Sequence, residues 1–209
     1  MVVERAIQDW QAQIQGALAE GTRLRIRGAG SKDFLGEVGA FDADINTQSH
    51  QGIIEYAPTE LVMTVRAGTP LATVKAVLAE QRQYWPCDPP IFGGAGTVGG
   101  AIAAGLSGPG RVAHGAVRDL VLGVGIINGA GKALKFGGQV MKNVAGYDVS
   151  RLMTGSFGTL GLITDVSFKV LPLPAAEVTV ARVETVEQAH ERFLQVGRLP
   201  LPCSASAWF

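Results

Sequence analysis

Gly93-Gly-Ala-Gly-Thr-Val-Gly-Gly-Ala-Ile-Ala-Ala-Gly-Leu-Ser-Gly108 is the stretch on which the fold turns. Inside it, Gly94-Ala-Gly96-Thr-Val-Gly99 matches G-x-G-x-x-G, and Asp119 lies 20 residues beyond its last glycine. That motif works only where a buried strand runs straight into it and a helix opens at its end. Here Ile91-Phe92 alone separate it from Pro89-Pro90, which leaves no room for a parallel strand. A doubly wound nucleotide fold is therefore excluded. Gly131-Lys132-Ala133 fails the P-loop pattern as well, because Ala133 stands where a hydroxyl is needed. Positions 89–110 carry no charge over 22 residues, enough to cross a bilayer, but they hold eight glycines and three prolines. Each interior Gly costs a helix about 1 kcal/mol and each Pro about 3, so a spanning helix is not expected.

Outward from this segment the pattern is mixed. On the N-terminal side, Val3, Ile7, Trp10, Ile14 and Leu18 recur at helical spacing up to Gly21, and Leu24-Arg-Ile-Arg27 alternates as a short strand. Ile53-Ile-Glu-Tyr-Ala57 and Leu61-Val-Met-Thr-Val65 read as strands joined through Pro58. Thr69-Pro70 supplies a cap and a first-turn proline for a helix through Leu71, Val74 and Leu78, and Pro86-Cys-Asp-Pro-Pro90 reads as extended chain. On the C-terminal side, Leu120–Ile127 and Lys132–Phe136 flank Asn128-Gly-Ala-Gly131, a hairpin signal. A strand over 162–170 runs into a linker, Leu171-Pro-Leu-Pro174. Then come a strand over 177–183, a capping box Thr185-Val-Glu-Gln188 opening a helix to Val196, and a strand cut short at 205–209. Strands and helices mix without a βα repeat, so the class is α+β. The last 37 residues bury little by themselves and read as the truncated start of a further domain.

Composition narrows the function. Eighteen basic against eighteen acidic residues exclude a nucleic-acid backbone or an anionic membrane as the natural partner. Cys87 and Cys203 make neither a disulfide framework nor a metal set. Of 28 glycines, 19 fall within 93–161, where their entropic cost calls for close backbone approach or positive φ. Arg27-Gly-Ala-Gly-Ser-Lys32 is a second glycine loop, set after a strand, whose successive amides can form a nest for an anion. Two such loops, one per lobe, suit a diphosphate clamped between them; tight turns and close packing are the equal alternative for any single glycine.

Taken in order, Arg27-Gly-Ala-Gly-Ser31, Ala67-Gly68, Asp88-Pro-Pro90, Gly96-Thr-Val-Gly-Gly-Ala-Ile-Ala-Ala104, His114-Gly-x-x-Arg118-Asp119, Lys142-x-x-x-Gly-Tyr-Asp148 and Gly155-Ser-Phe-Gly-Thr-Leu-Gly-Leu-Ile-Thr164 resemble the vanillyl-alcohol-oxidase/p-cresol-methylhydroxylase (PCMH) type of FAD-binding domain. Within it the chain is similar to the FAD-binding subunits of glycolate oxidases. The resemblance covers roughly residues 20–172 and implies a two-lobed PCMH-type FAD-binding domain over 1–172 (lobes about 1–90 and 91–172). A partial, ferredoxin-like cap domain would follow over 173–209.

By resemblance, Gly28, Ala29, Gly30, Ser31 and Lys32 supply the first pyrophosphate loop. Gly96, Thr97, Gly99 and Gly100 supply the second, with Asp88, Pro90, Ala104, Gly105 and Gly108 alongside them, and Ile163 gives a backbone contact to the flavin ring. The first loop contains no His, so FAD is expected to be non-covalent. Gly105 and Phe157 replace polar residues common in relatives, and Lys142, Tyr147 and Asp148 are either near the cofactor or hold their own loop. No catalytic base and no metal set stands out.

The function implied is an FAD-dependent oxidoreductase component that oxidises a small 2-hydroxy acid to a 2-oxo acid. It would work beside a catalytic flavoprotein subunit and an iron–sulfur subunit, in the cytoplasm or peripheral at the inner membrane through those partners. A self-sufficient D-2-hydroxy-acid dehydrogenase and a non-catalytic FAD-binding assembly subunit are the alternatives.

Overall fold

The computed structural model describes residues 2–36, 39–93, 95–138 and 147–209. In chain order the elements are α1 (Val2–Glu20), β1 (Leu24–Arg27), β2 (Ala43–Asn46), β3 (Ile53–Ala57), β4 (Val62–Arg66), α2 (Leu71–Glu80), β5 (Gln83–Tyr84), α3 (Val98–Ala104), α4 (Arg111–His114), α5 (Val117–Leu120), β6 (Val121–Ile127), β7 (Ala133–Gly137), α6 (Val149–Met153), β8 (Leu162–Lys169), β9 (Leu171–Pro172) and α7 (Val186–Arg198). The α+β organisation read from the sequence is the one observed.

An antiparallel five-stranded sheet in the order β3-β4-β8-β6-β7 forms the centre. β6 and β8 sit inside it and are buried along nearly their whole length, so both read as apolar runs rather than alternating strands. Met63, Val65, Val166 and Phe168 from the sheet pack with Leu71, Val74 and Leu78 of α2 and with Val98 and Ile102 of α3. Each such fully buried side chain contributes roughly 1.5–3 kcal/mol. Because β3 and β4 share this sheet with β6, β7 and β8, the strands on either side of residue 90 belong to one hydrogen-bonded layer.

A smaller unit lies beside it. β1 and β2 pair in parallel, with Ile26 opposite Ile45. α1 covers Ile45 with Trp10 and Ile14, and these join Ile127 and Leu162 in a second cluster. The helix expected from Val3 to Leu18 is present, but it turns Ala17 inward and leaves Leu18 66% exposed.

Several local expectations are corrected. Pro70, not Thr69, is the residue that precedes α2, with no side-chain cap. The Thr69 hydroxyl instead accepts from the Gly52 amide at 2.9 Å and donates to the Gly52 carbonyl at 3.2 Å. Residues 85–88 form a turn rather than extended chain, closed by the Asp88 amide on the Trp85 carbonyl at 3.3 Å, with Asp88 at φ +37°. The expected linker over 171–174 begins as β9, which pairs with β5. The strands expected at 177–183 and 205–209 do not form, because no neighbouring strand offers them hydrogen-bond partners; of that region α7 is regular, opened by the reciprocal Thr185–Gln188 cap. Sequence reading missed β2, where Ile45 alone among Ala43-Asp-Ile-Asn46 is buried.

Candidate functional site

The two glycine loops meet. A Cβ built on Gly28 would lie 2.5 Å from the Thr97 hydroxyl oxygen, so the main chain of the first loop rests directly on the side chain that opens α3. Lys32 places its ammonium 5.8 Å from the centre of the Phe92 ring, and Phe34 meets the same ring edge-on at 5.0 Å. These contacts join residues 28–34 to residues 92–97 across about 65 positions of sequence. Each loop is held from below: the Arg27 carbonyl accepts from the Thr47 amide at 2.9 Å, and the Leu71 amide donates to the Gly96 carbonyl at 2.9 Å.

The amides of the first loop are the chemically informative groups. Among the described residues, those of Ala29, Gly30, Ser31 and Lys32 have no hydrogen-bond acceptor in the chain, although all four residues are only half exposed. Gly30 adopts φ +71°, the left-handed conformation that turns successive N–H groups toward one side. Lys32 has no carboxylate partner among the described residues, and burial pushes its amine below the usual value of 10.5. Unpaired donors and an unpaired cation in one turn make a receptor for an anion.

The second loop divides. The amides of Gly96 and Thr97 are unpaired among the described residues, as in the first loop. Those of Val98 and Gly99 are spent on the Thr69 and Ala67 carbonyls at 2.9 and 2.8 Å, and that of Gly100 on the Thr97 hydroxyl at 3.2 Å. Gly99 lacks a side chain because a Cβ would come within 2.7 Å of the Ala67 Cβ; it lets α3 seat on the end of β4. Ala104 and Gly105 lie at the far end of the seven-residue helix α3, about 10 Å along its axis from Thr97. Gly105 ends the helix at φ +65° against Gly155. Gly108 donates to the Cys87 carbonyl at 2.8 Å and lies against the Asp88 main chain, which brings Asp88 beside this end of the loop; Pro90 is half-buried two residues further along the chain. Ile163 is buried in β8, the strand on which α3 packs.

Other candidates resolve into structural roles. Asp148 caps α6 by accepting the Arg151 amide at 3.1 Å and pairs with the Arg151 side chain at 3.0 Å, while Tyr147 is almost fully exposed. Lys142 lies outside the described residues. Of the histidines, His50 is buried edge-on against Trp10, and His114 shares a 3.3 Å hydrogen bond with the Tyr84 hydroxyl. Cys87 is fully buried, and burial pushes its thiol far up; it packs rather than reacts. Phe34 and Phe92, which bridge the loops, escaped the sequence reading, since nothing local marks two phenylalanines 58 positions apart as neighbours.

Two glycine loops brought together on an α+β frame, each with amides unpaired among the described residues, are the features of a two-loop FAD-binding domain. The chain belongs to that family: the family model described as "FAD binding domain" matches residues 2–137. It is 48% identical over 197 residues to glycolate oxidase subunit GlcE of Escherichia coli (strain K12), an alignment covering 94% of this chain and 56% of that protein. Against glycolate oxidase subunit GlcD of Bacillus subtilis (strain 168) the identity is 32% over 140 residues, 66% of this chain and 30% of the other. The chain thus spans about half the length of the first relative and less of the second. A solved structure of alkyldihydroxyacetonephosphate synthase shares the fold, with a TM-score of 0.64 at 22% identity over 79% of this chain and 30% of that one.

FAD fits the residues present. Its diphosphate needs donors and positive charge, which the Ala29–Lys32 amides and the Lys32 ammonium provide, while the neighbouring Asp33 carboxylate is engaged by Arg27. Among the described residues no cluster of His, Cys, Asp and Glu suits a metal ion, and no helix is long and apolar enough to cross a membrane.

Proposed function

We propose that this chain is the FAD-carrying component of a complex that oxidises a small 2-hydroxy acid to the 2-oxo acid, as a glycolate oxidase does. The observation that carries the reading is the seating of Gly28 on Thr97, which brings together two loops whose amides are unpaired among the described residues. The amides of Ala29, Gly30 and Ser31, the Lys32 ammonium and the Gly96 and Thr97 amides hold the diphosphate. Gly99 and Gly100 act one step back, by letting α3 carry Thr97 to the crevice. Asp88, Pro90, Ala104, Gly105 and Gly108 shape the wall leading away from it, and the Ile163 main chain lies toward the ring system. Bound FAD supplies the acceptor for the hydride on the hydroxyl-bearing carbon. It is held non-covalently: the first loop has no histidine, and His50 is shut against Trp10.

The substrate's hydroxyl proton needs a base within hydrogen-bond reach, and that base is assigned to a larger flavoprotein partner. Onward electron transfer is assigned to an iron–sulfur subunit, because this chain's two cysteines are too few for a cluster. The assembly sits in the cytoplasm, peripheral to the inner membrane through its partners. Residues 1–172 form the FAD domain and 173–209 belong to a cap. The exposed apolar side chains Val178, Val180, Phe193 and Trp208 suit a covering partner and favour, as a second reading, an assembly subunit that binds FAD without turnover.

The test is a flavin spectrum of the purified full chain before and after anaerobic glycolate, with and without partner subunits. Yellow protein that releases FAD on denaturation, and bleaches with glycolate when partners are present, supports the first reading. FAD that stays oxidised while the partner's flavin bleaches selects the second. Colourless protein that takes up no FAD overturns both.

A further inference from the structure

Arg27 stands at the hinge between β1 and the first loop, and no role has been given to its side chain. Its main chain is fixed: the carbonyl accepts from both the amide and the hydroxyl of Thr47, at 2.9 and 3.3 Å. From there the side chain folds back beneath the loop that it begins. Its guanidinium occupies the space where a Gly30 side chain would be, with Nε 2.7 Å and Cζ 2.8 Å from the position of a Cβ. The far end pairs with the Asp33 carboxylate at 2.5 Å. Residues 27–33 are therefore closed into a ring by one ion pair, with the guanidinium against the left-handed glycine and the four unpaired amides in the same turn.

One donor is left over. Nε of Arg27 is buried and has no acceptor among the described residues. A charged group with a buried, unmet donor is unfavourable unless something satisfies it, and the unmet donor lies inside the very loop whose amides are also unmet. We propose that Arg27 is the positioning residue of this anion loop: its planar guanidinium, braced by Asp33, fills the space under Gly30 and holds that glycine in the left-handed conformation that turns the loop amides toward the bound diphosphate. Lysine cannot replace it, because an ammonium offers neither the flat surface nor the forked donors.

The inference rests on the FAD reading above, and the two fail separately. The experiment measures affinities of the full chain for FAD and for ADP, which carries the diphosphate without the flavin. The variants are Arg27→Ala, Arg27→Lys and Arg27→Gln, each checked for folding by its melting midpoint without ligand. Expected are wild-type binding of both ligands and at least tenfold weaker binding of both by all three variants, R27K included. R27Q, which keeps a planar amide on a stem of similar length, reads the same claim should R27A fail to fold. Variants within threefold of wild type, full recovery in R27K, or a loss for FAD but not for ADP each overturn the role of Arg27 while leaving the FAD reading in place. Wild-type protein that binds neither ligand overturns that reading itself.

Discussion

Replacing Gly28 by alanine probes the junction of the two loops most sharply. The new methyl would lie 2.5 Å from the Thr97 hydroxyl oxygen, whereas ordinary contact begins at 3.4 Å, so the hydroxyl must retreat by 3.4 − 2.5 = 0.9 Å. That oxygen now caps α3 by accepting the Gly100 amide at 3.2 Å, and a retreat of this size breaks the cap. Loss of such a cap costs about 0.5–2 kcal/mol, which for a chain of this length lowers the melting midpoint by roughly 1–8 °C. The separation also carries the Gly96 and Thr97 amides away from the first loop. Losing one hydrogen bond to a charged diphosphate is worth about 1.5–3 kcal/mol, or roughly 10- to 150-fold in FAD affinity.

The assay is a thermal melt and an FAD titration of Gly28→Ala, Thr97→Ala and the double variant. Thr97→Ala removes the cap and the obstruction together, so the double variant should be no less stable than Thr97→Ala alone. A Gly28→Ala protein with unchanged melting point and FAD affinity, or strictly additive effects in the cycle, would refute the contact on which the site is built.

Gly68→Ala should destabilise by more than about 2 kcal/mol, because a Cβ there comes within 2.7 Å of the His50 carbonyl in a fixed backbone; the urea midpoint measures it. FAD affinity should fall as pH rises toward 10: burial favours the neutral Lys32 amine and brings its pKa below 10.5, so the cation proposed to hold the diphosphate is lost earlier than for a free lysine. Lys32→Gln should weaken binding at pH 7 and remove that part of the pH dependence. Burial likewise lowers the His50 pKa below 6.5, with nearby Arg66 adding to the effect. The unfolded chain then binds the proton more readily, so stability should decline as pH drops through 6.5, and His50→Gln should flatten the decline in a melting series from pH 7.5 to 5. A thiol reagent at neutral pH should modify one cysteine per native chain, Cys203, and both only after unfolding, since Cys87 is buried.

The legible parts of the fold were those whose signal is local. Trp10 and Ile14 mark α1 by their spacing, and Asn128-Gly-Ala-Gly131 marks the β6–β7 hairpin by turn chemistry. β2 was not legible because its pairing with β1 supplies what its own residues lack; Asp44 faces solvent in a two-oxygen contact with Arg25, and Ile45 alone turns inward. The segment 177–183 failed in the opposite sense, having strand-like residues but no neighbouring strand.

In the site, the glycine spacing announced both loops, yet it could not divide their labour. Gly99 and Gly100 stand in the same motif as Gly96, but their amides are consumed inside the protein by Ala67 and Thr97. Only the three-dimensional arrangement separates an amide available to a ligand from one already bonded. The same holds for Arg27 and Phe92, whose parts depend on what lies across space from them.

Hydrogen exchange of the full chain, followed by mass spectrometry with and without FAD, reaches the convergence of the two loops directly. Peptides covering residues 28–32 and 93–97 should both exchange more slowly once FAD is added, with no comparable change in α7. Protection of one loop without the other, or of neither at FAD concentrations that saturate the protein, would contradict a diphosphate held between them.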